Sequence, residues 1–213
     1  MLLPLSPDEL LSTTRSVRRR LDLTRPVSRA VLTECAELAL QAPTGSMRQD
    51  WHLVITNDRE QCRRVGEVYR RIWLGMVSPE YLERMSAAEP DPIARASWLR
   101  MMTSARHLAE HFPEVPALLV PCIDGRLDGA PANLQALKWG SIIQAAWSFM
   151  LAARARGLGS CWTTVHLAAE AEVAEIPAIP YDKVQQVALI TVAYTVGTDF
   201  KAGARKPSER FVH

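Results

Sequence analysis

Arg15-Ser16-Val17-Arg18 sets two guanidinium groups three residues apart with a hydroxyl between them. Such a set can converge on one phosphate, because charge-assisted and bidentate bonds are among the strongest polar contacts. Read alone, the stretch is better explained as solvated charge, since Arg19, Arg20 and Arg25 follow. Pro43-Thr44-Gly45-Ser46 is a tight small-residue turn whose backbone amides can approach a flat ring or an anion. Alone, it is a helix-to-strand connection. Gly157-Leu158-Gly159-Ser160 leads into Cys161-Trp162-Thr163-Thr164, a passage from a helix into a strand whose end can meet a ligand. Alone, it is a helix cap and a core strand. Arg205-Lys206-Pro207 is a basic tail. His107-Leu108-Ala109-Glu110-His111 matches H-x-x-E-H, which puts both imidazoles on one helical face. No third ligand and no second acidic motif accompany it, so no metal is assigned. GxSxG, Walker and Rossmann glycine patterns are absent from the sequence.

These residues must be carried by ordinary globular elements. The chain has 213 residues, 48% apolar, with 25 Lys+Arg against 23 Asp+Glu. A net charge of +2 argues against an electrostatic nucleic-acid binder. No apolar run approaches the ~20 residues that span a bilayer, and the N-terminus makes a poor signal peptide. Cys35, Cys62, Cys122 and Cys161 form no CxxC pair. They are expected to be small core residues in a reducing compartment, by default the cytoplasm. Ser6-Pro7-Asp8-Glu9 reads as a capping box that starts a short helix. Further helices are expected at about 29–41, 59–74, 93–112, 133–156 and 167–175. The helix at 29–41 presents Val31, Cys35 and Leu38, with Leu32, Ala36 and Leu40 beside them. Strands are expected at 51–56, 117–123, 160–165 and 187–195, with 75–91 irregular because of its prolines. Four strands interleaved with helices and no linker predict one α+β layered domain.

The ordered set of Arg-Ser-Val-Arg, Ala-Pro-Thr-Gly-Ser with Gln49 and Trp51, Gly-Leu-Gly-Ser-Cys-Trp, and Arg-Lys-Pro resembles the FMN-dependent nitroreductase family. The likeness runs from about Leu10 to Val212. It implies an α+β fold over 1–213, with a central mixed or antiparallel sheet flanked by helices in an intertwined homodimer. It also implies a variable helical excursion at about 70–116 that covers the active site. FMN would lie at the subunit interface. By this resemblance Arg15, Ser16 and Arg18 hold the phosphate and ribityl end, and Arg205 closes on the phosphate. Pro43, Thr44, Gly45 and Ser46 meet the flavin from the partner subunit. Cys161, Trp162, Thr163 and Thr164 pack along the isoalloxazine. Thr14, Met47 and Asp50 depart from the residues that many members carry, namely Arg, Asn and Pro.

The resemblance implies an NAD(P)H-dependent FMN oxidoreductase. NADH or NADPH reduces the flavin, and a small-molecule acceptor takes the electrons from the same place, in ping-pong order. The flavin carries the chemistry, so no catalytic side chain is assigned. His166 is expected to be a structural histidine. Tyr69, Trp73, Tyr81, Met85, Trp98, Met101 and Met102 offer apolar walls for a nitroarene or quinone, and ordinary packing explains them as well. The alternatives are a flavin-dependent oxidase or dehydrogenase of a biosynthetic pathway, and a non-catalytic flavin-binding protein.

Overall fold

The computed structural model describes residues 2–205 and 207–211; Lys206 and Val212 of the sequence motifs lie outside them. One sheet contains β1 (Trp51–Thr56), β2 (Ala117–Asp124), β3 (Leu158–Thr163), β4 (Val184–Gln186) and β5 (Leu189–Tyr194). The order is β1-β2-β5-β3, with β4 also on β2. These strands pair antiparallel throughout, and parallel pairing is confined to single bridges. β2 lies inside the sheet and is buried along nearly its whole length, which is why it reads as an unbroken apolar run.

Helices cover both faces. Side chains along a strand alternate between faces. Leu118, Val120 and Cys122 of β2 therefore pack with α3 (Arg59–Met76) and α5 (Pro92–His111). Ala117 and Leu119 pack with α2 (Arg29–Ala39) and α6 (Ala132–Ala155). Helix starts follow the local chemistry. The Ser6 hydroxyl accepts from Glu9 N while the Glu9 carboxylate accepts from Ser6 N, which starts α1 (Pro7–Thr13). Ser28 and Asp58 cap α2 and α3 through the side-chain oxygen alone, accepting from Val31 N and Gln61 N. Gly157, at φ +77°, ends the run after α6. No helix among the described residues is long and apolar enough to cross a membrane.

Four expectations change. Residues 75–91 are not irregular, because α4 (Pro79–Ala87) forms there with Ser78 as its cap. Ser78-Pro79 repeats the Ser6-Pro7 start, and proline at the first helical position loses no hydrogen bond. The run 187–195 is two strands. Register on β2 shifts by one residue between β4 and β5, so Val187-Ala188 forms a bulge where Val187 N reaches the Pro121 carbonyl. Pro121 lacks the N–H that a regular ladder would use. β3 starts at Leu158 and stops at Thr163, which leaves Thr164 beyond it. On α2 the buried residues are Leu32, Cys35 and Ala39, while Leu38 and Leu40 are exposed.

Tyr69 and Trp73 are buried core residues, and Tyr69 stacks on Phe112 at 4.0 Å. Tyr81, Met85, Trp98 and Met101 of α4 and α5 keep partial exposure. After α5 and α3, α7 (Glu170–Glu175) completes the helices.

Candidate functional site

The N-terminal segment docks on β3 as a short added strand. Val17 N donates to the Ser160 carbonyl at 2.9 Å, and Ser16 and Ser160 form a parallel bridge. Val17 is buried, so alternation turns Ser16 outward and leaves Arg18 half-buried. Gly159 makes this approach possible: a Cβ there would stand 2.9 Å from the Val17 Cβ and 2.6 Å from Thr195 Cγ2. Arg15 Nη1 donates to the Lys201 carbonyl at 3.1 Å, which ties the segment to the C-terminal tail. An open groove of about 340 Å3 results, lined by Thr14, Arg15, Ser16, Arg18, Trp147 and Arg205. An adjoining groove of about 350 Å3 shares Arg15, Ser16 and Arg18 and adds Arg20, Phe200 and Lys201. Three guanidinium groups and a hydroxyl facing one space form a donor set for a phosphate ester.

β3 contributes unequally. Cys161 and Trp162 point to opposite faces, so their side chains cannot line one side of a ring together. Cys161 is fully buried, and burial raises its thiol pKa against the opposing charge of Arg18. Burial likewise raises the pKa of the Tyr69 phenol, which shares the neighbourhood of Cys161, Thr163 and Arg18. Trp162 is half-buried on the α6 side, and the Thr163 hydroxyl donates to the Leu189 carbonyl at 2.7 Å. Thr164 is exposed.

Pro43, Thr44 and Gly45 lie elsewhere, in a groove of about 300 Å3 against Leu137, Gly140 and Gln144 of α6. Gly45 N donates to Ser141 Oγ at 2.9 Å. Left-handed backbone falls on Ser46 (φ 54°) and Met47 (φ 57°). Consecutive non-glycine residues in that region store strain, a feature that clusters at ligand-binding sites. The Thr44 hydroxyl donates to the Arg48 carbonyl and accepts from Trp51 Nε1, which holds the bend. Asp50 pairs with Lys138 of α6.

Both grooves border α6. Its inner side buries Ile142, Ala145, Ala146 and Phe149. Its outer side exposes Leu137, Ile143 and Trp147 as an apolar stripe, with Leu134 at its margin. The Pro43–Gly45 groove lies at the N-terminal half of this stripe, and the arginine groove meets it at Trp147. Trp147 escapes sequence reasoning because a tryptophan on a helix apolar nearly all round gives no directional signal.

A larger groove of about 600 Å3, between β1, α2 and the Pro177–Pro180 loop, is lined by apolar residues and His52. It holds no arginine or lysine and none of the expected residues. The His107 and His111 rings lie 4.6 Å apart, tilted by 47°, but His111 Nδ1 engages Glu114 and Glu110 engages Arg106. No metal-binding cluster occurs among the described residues. His166 is fully buried, with neither ring nitrogen bonded among the described residues, and burial pushes its pKa to about 4.

A sequence model of the nitroreductase family matches residues 11–194. The chain belongs to the nitroreductase family. This nitroreductase-family chain is 23% identical over 159 residues to an Archaeoglobus fulgidus protein provisionally named NADH dehydrogenase/NAD(P)H nitroreductase, covering 74% of this chain and 67% of that one. Among solved structures it is similar to the FMN- and NADPH-dependent nitroreductase NfnB from Sphingopyxis sp. strain HMH, with a TM-score of 0.68, 20% identity and 98% of each chain covered. The BluB-like flavoprotein of Clostridium difficile 630 gives a TM-score of 0.68 at 17% identity, with 98% of each chain covered. Iodotyrosine deiodinase bound to FMN and 3-iodo-L-tyrosine gives 0.66 at 19%, covering 97% of this chain and 98% of that one. At these identities the structural likenesses establish the nitroreductase-like α+β fold.

Proposed function

We propose that the protein is an NAD(P)H-dependent FMN oxidoreductase that reduces nitroaromatic or quinone-type acceptors as a homodimer. The observation that carries this reading is the convergence of Arg15, Ser16, Arg18 and Arg205 on one groove beside β3, in a nitroreductase-family chain. That donor set fits the phosphate of FMN, whose charge is about −1.5 to −2. When bound, FMN supplies two-electron chemistry, reduced by NADH or NADPH and reoxidised by the acceptor in turn at the same face.

The chain's own residues then bind, orient and tune. Arg15, Ser16 and Arg205 hold the phosphate end. Arg18, half-buried near Cys161, would add its positive charge to the same groove at the phosphate and ribityl end. The backbone of β3 and Thr164 offers the ring an edge.

α6 offers a surface for a second copy. Antiparallel packing of two α6 stripes about a two-fold axis would set the Leu137 end of one helix against the Trp147 end of the other. The Pro43–Ser46 bend of each copy would then adjoin the arginine groove of its partner. This supports a site built from two chains, with the strained Ser46-Met47 backbone closing on the ring. The partly exposed aromatic and methionine side chains of α4 and α5 would cover the mouth as the variable excursion of this single domain. Four free, buried cysteines fit a reducing compartment such as the cytoplasm.

The test is the double variant Arg15→Ala with Arg18→Ala. Wild-type protein is expected to elute yellow from gel filtration with stoichiometric FMN and to bleach with NADPH under nitrogen. The variant is expected to lose the flavin. Full FMN retention by the variant would overturn the assignment, and a wild type that binds FMN without bleaching would favour the non-catalytic reading.

A further inference from the structure

α6 ends in a buried charge that forms no ion pair among the described residues; the carboxylate of Asp199, next to Thr198, is taken by Arg20. Arg154 stands in its last turn, 4% exposed, and makes no ion pair among the described residues. Its Nη2 donates to Thr13 Oγ1 at 3.2 Å and to the Thr198 carbonyl at 2.9 Å. Its Nε and Nη1 have no partner among the described residues. Phe200 lies 4.9 Å from the guanidinium, and Arg20 stacks on the same ring at 4.3 Å. Burial, then the charge of Arg20, holds the Arg154 pKa below its usual value.

A buried cation is costly unless it is paired and fully bonded. The C-terminal end of α6 compensates for part of that cost through its dipole. Yet one nitrogen makes both hydrogen bonds, so a neutral amide could bridge the same two oxygens. The staple alone therefore leaves the charge unexplained. The two stapled residues explain it. Thr13 immediately precedes Thr14 and Arg15, which line the arginine groove. Thr198 begins the tail that brings Phe200 and Lys201 to the adjoining groove, where Arg15 bonds the Lys201 carbonyl. Trp147, two helical turns before Arg154, lines the first groove from α6 itself.

We propose that Arg154 is a positioning residue for a phosphate-bearing ligand. It pins the N-terminal and tail walls of the groove to α6, and it places behind them an unbalanced positive charge that the ligand's phosphate offsets. The identity of the ligand as FMN rests on the function proposed above; the staple and the charge do not. Arg154 touches no ligand in this account and acts through Thr13 and Thr198.

The test compares FMN with riboflavin, which has the same ring and no phosphate. Flavin-free wild type and Arg154→Met are titrated with each by fluorescence quenching. The variant is expected to weaken FMN at least tenfold while riboflavin changes less than twofold. Equal losses for both flavins would reduce Arg154 to a packing role, and unchanged FMN affinity would remove it from the site; either result overturns the proposal. If Arg154→Met does not fold, Thr13→Val deletes one anchor at a partly exposed position. It is expected to shift the FMN-to-riboflavin affinity ratio at least threefold, and an unchanged ratio is fatal. If the wild type binds neither flavin, the flavin reading fails by itself. Thermal stabilisation by inorganic phosphate then decides: a shift lost in the variants supports Arg154, and no shift in the wild type, or equal shifts in all proteins, ends the proposal.

Discussion

His166 shows how one buried side chain writes a pH dependence into stability. Its folded pKa lies at about 4, below the ordinary 6.5, because burial penalises the imidazolium. The unfolded chain therefore takes up a proton below pH 6.5 that the folded chain refuses. The contribution is complete above pH 6.5 and is lost progressively as pH falls toward 4, a total of roughly 3 kcal/mol. Urea unfolding at pH 7 and pH 4.5 should show wild type losing roughly 2 kcal/mol more than His166→Leu between the two; equal losses would refute the account. Met47 offers a second test. Its φ of 57° suits asparagine better than methionine, and its side chain is almost wholly exposed. Met47→Asn should stabilise the fold by about 0.5–1 kcal/mol, read as a Tm rise of about 1–4 °C. Arg15, Ser16 and Arg18 were singled out by the ordered set of motifs, since their spacing alone reads as solvated charge, and the structure brings them to one groove. Arg154 was not, since an arginine near a helix C-terminus is ordinary until its burial and missing partners are seen.

Elements decide whether those residues meet. The docking of the N-terminal segment on β3 depends on the absence of a side chain at position 159. Gly159→Ala forces its Cβ against Val17 and Thr195, both within 3.0 Å. Overpacking of this kind costs about 1–3 kcal/mol, and here the displaced atoms carry Arg15 and Arg18. FMN affinity should fall at least tenfold in fluorescence titration; a variant with native affinity would show that the bridge does not place the arginines. Caps and periodicity made α1, α2, α3, α5 and α6 readable within a few residues. α4 was hidden by three nearby prolines, although Ser78-Pro79 held the same start as α1. The β4–β5 bulge was unreadable, because 187–195 is continuously β-branched and the cause lies across the sheet at Pro121.

At the scale of the molecule, α6 is the axis on which the proposal turns. Its outer side leaves Ile143 45% exposed, between the helix positions that line the two grooves. Burying such a stripe is the expected role of a second copy. Ile143→Arg should give monomers in sedimentation velocity and should lose FMN with them, because the ring would be held from two chains. A monomeric variant that retains stoichiometric FMN would place the whole site in one chain. Interface charge at this position acts by desolvation, so the effect should persist at high salt.

The sequence by itself determined the family, the alternation of helices and strands, and which arginines to expect at a phosphate. Each of these depends on neighbours a few residues apart or on an ordered set of short motifs. Only the tertiary structure decided that Cys161 turns into the core while Trp162 faces α6, that Pro43–Gly45 and the arginines occupy separate grooves of one chain, and that Arg154 is buried behind the arginine groove without an ion pair among the described residues. Those facts depend on strand register and on contacts between residues more than a hundred positions apart, which no local pattern encodes.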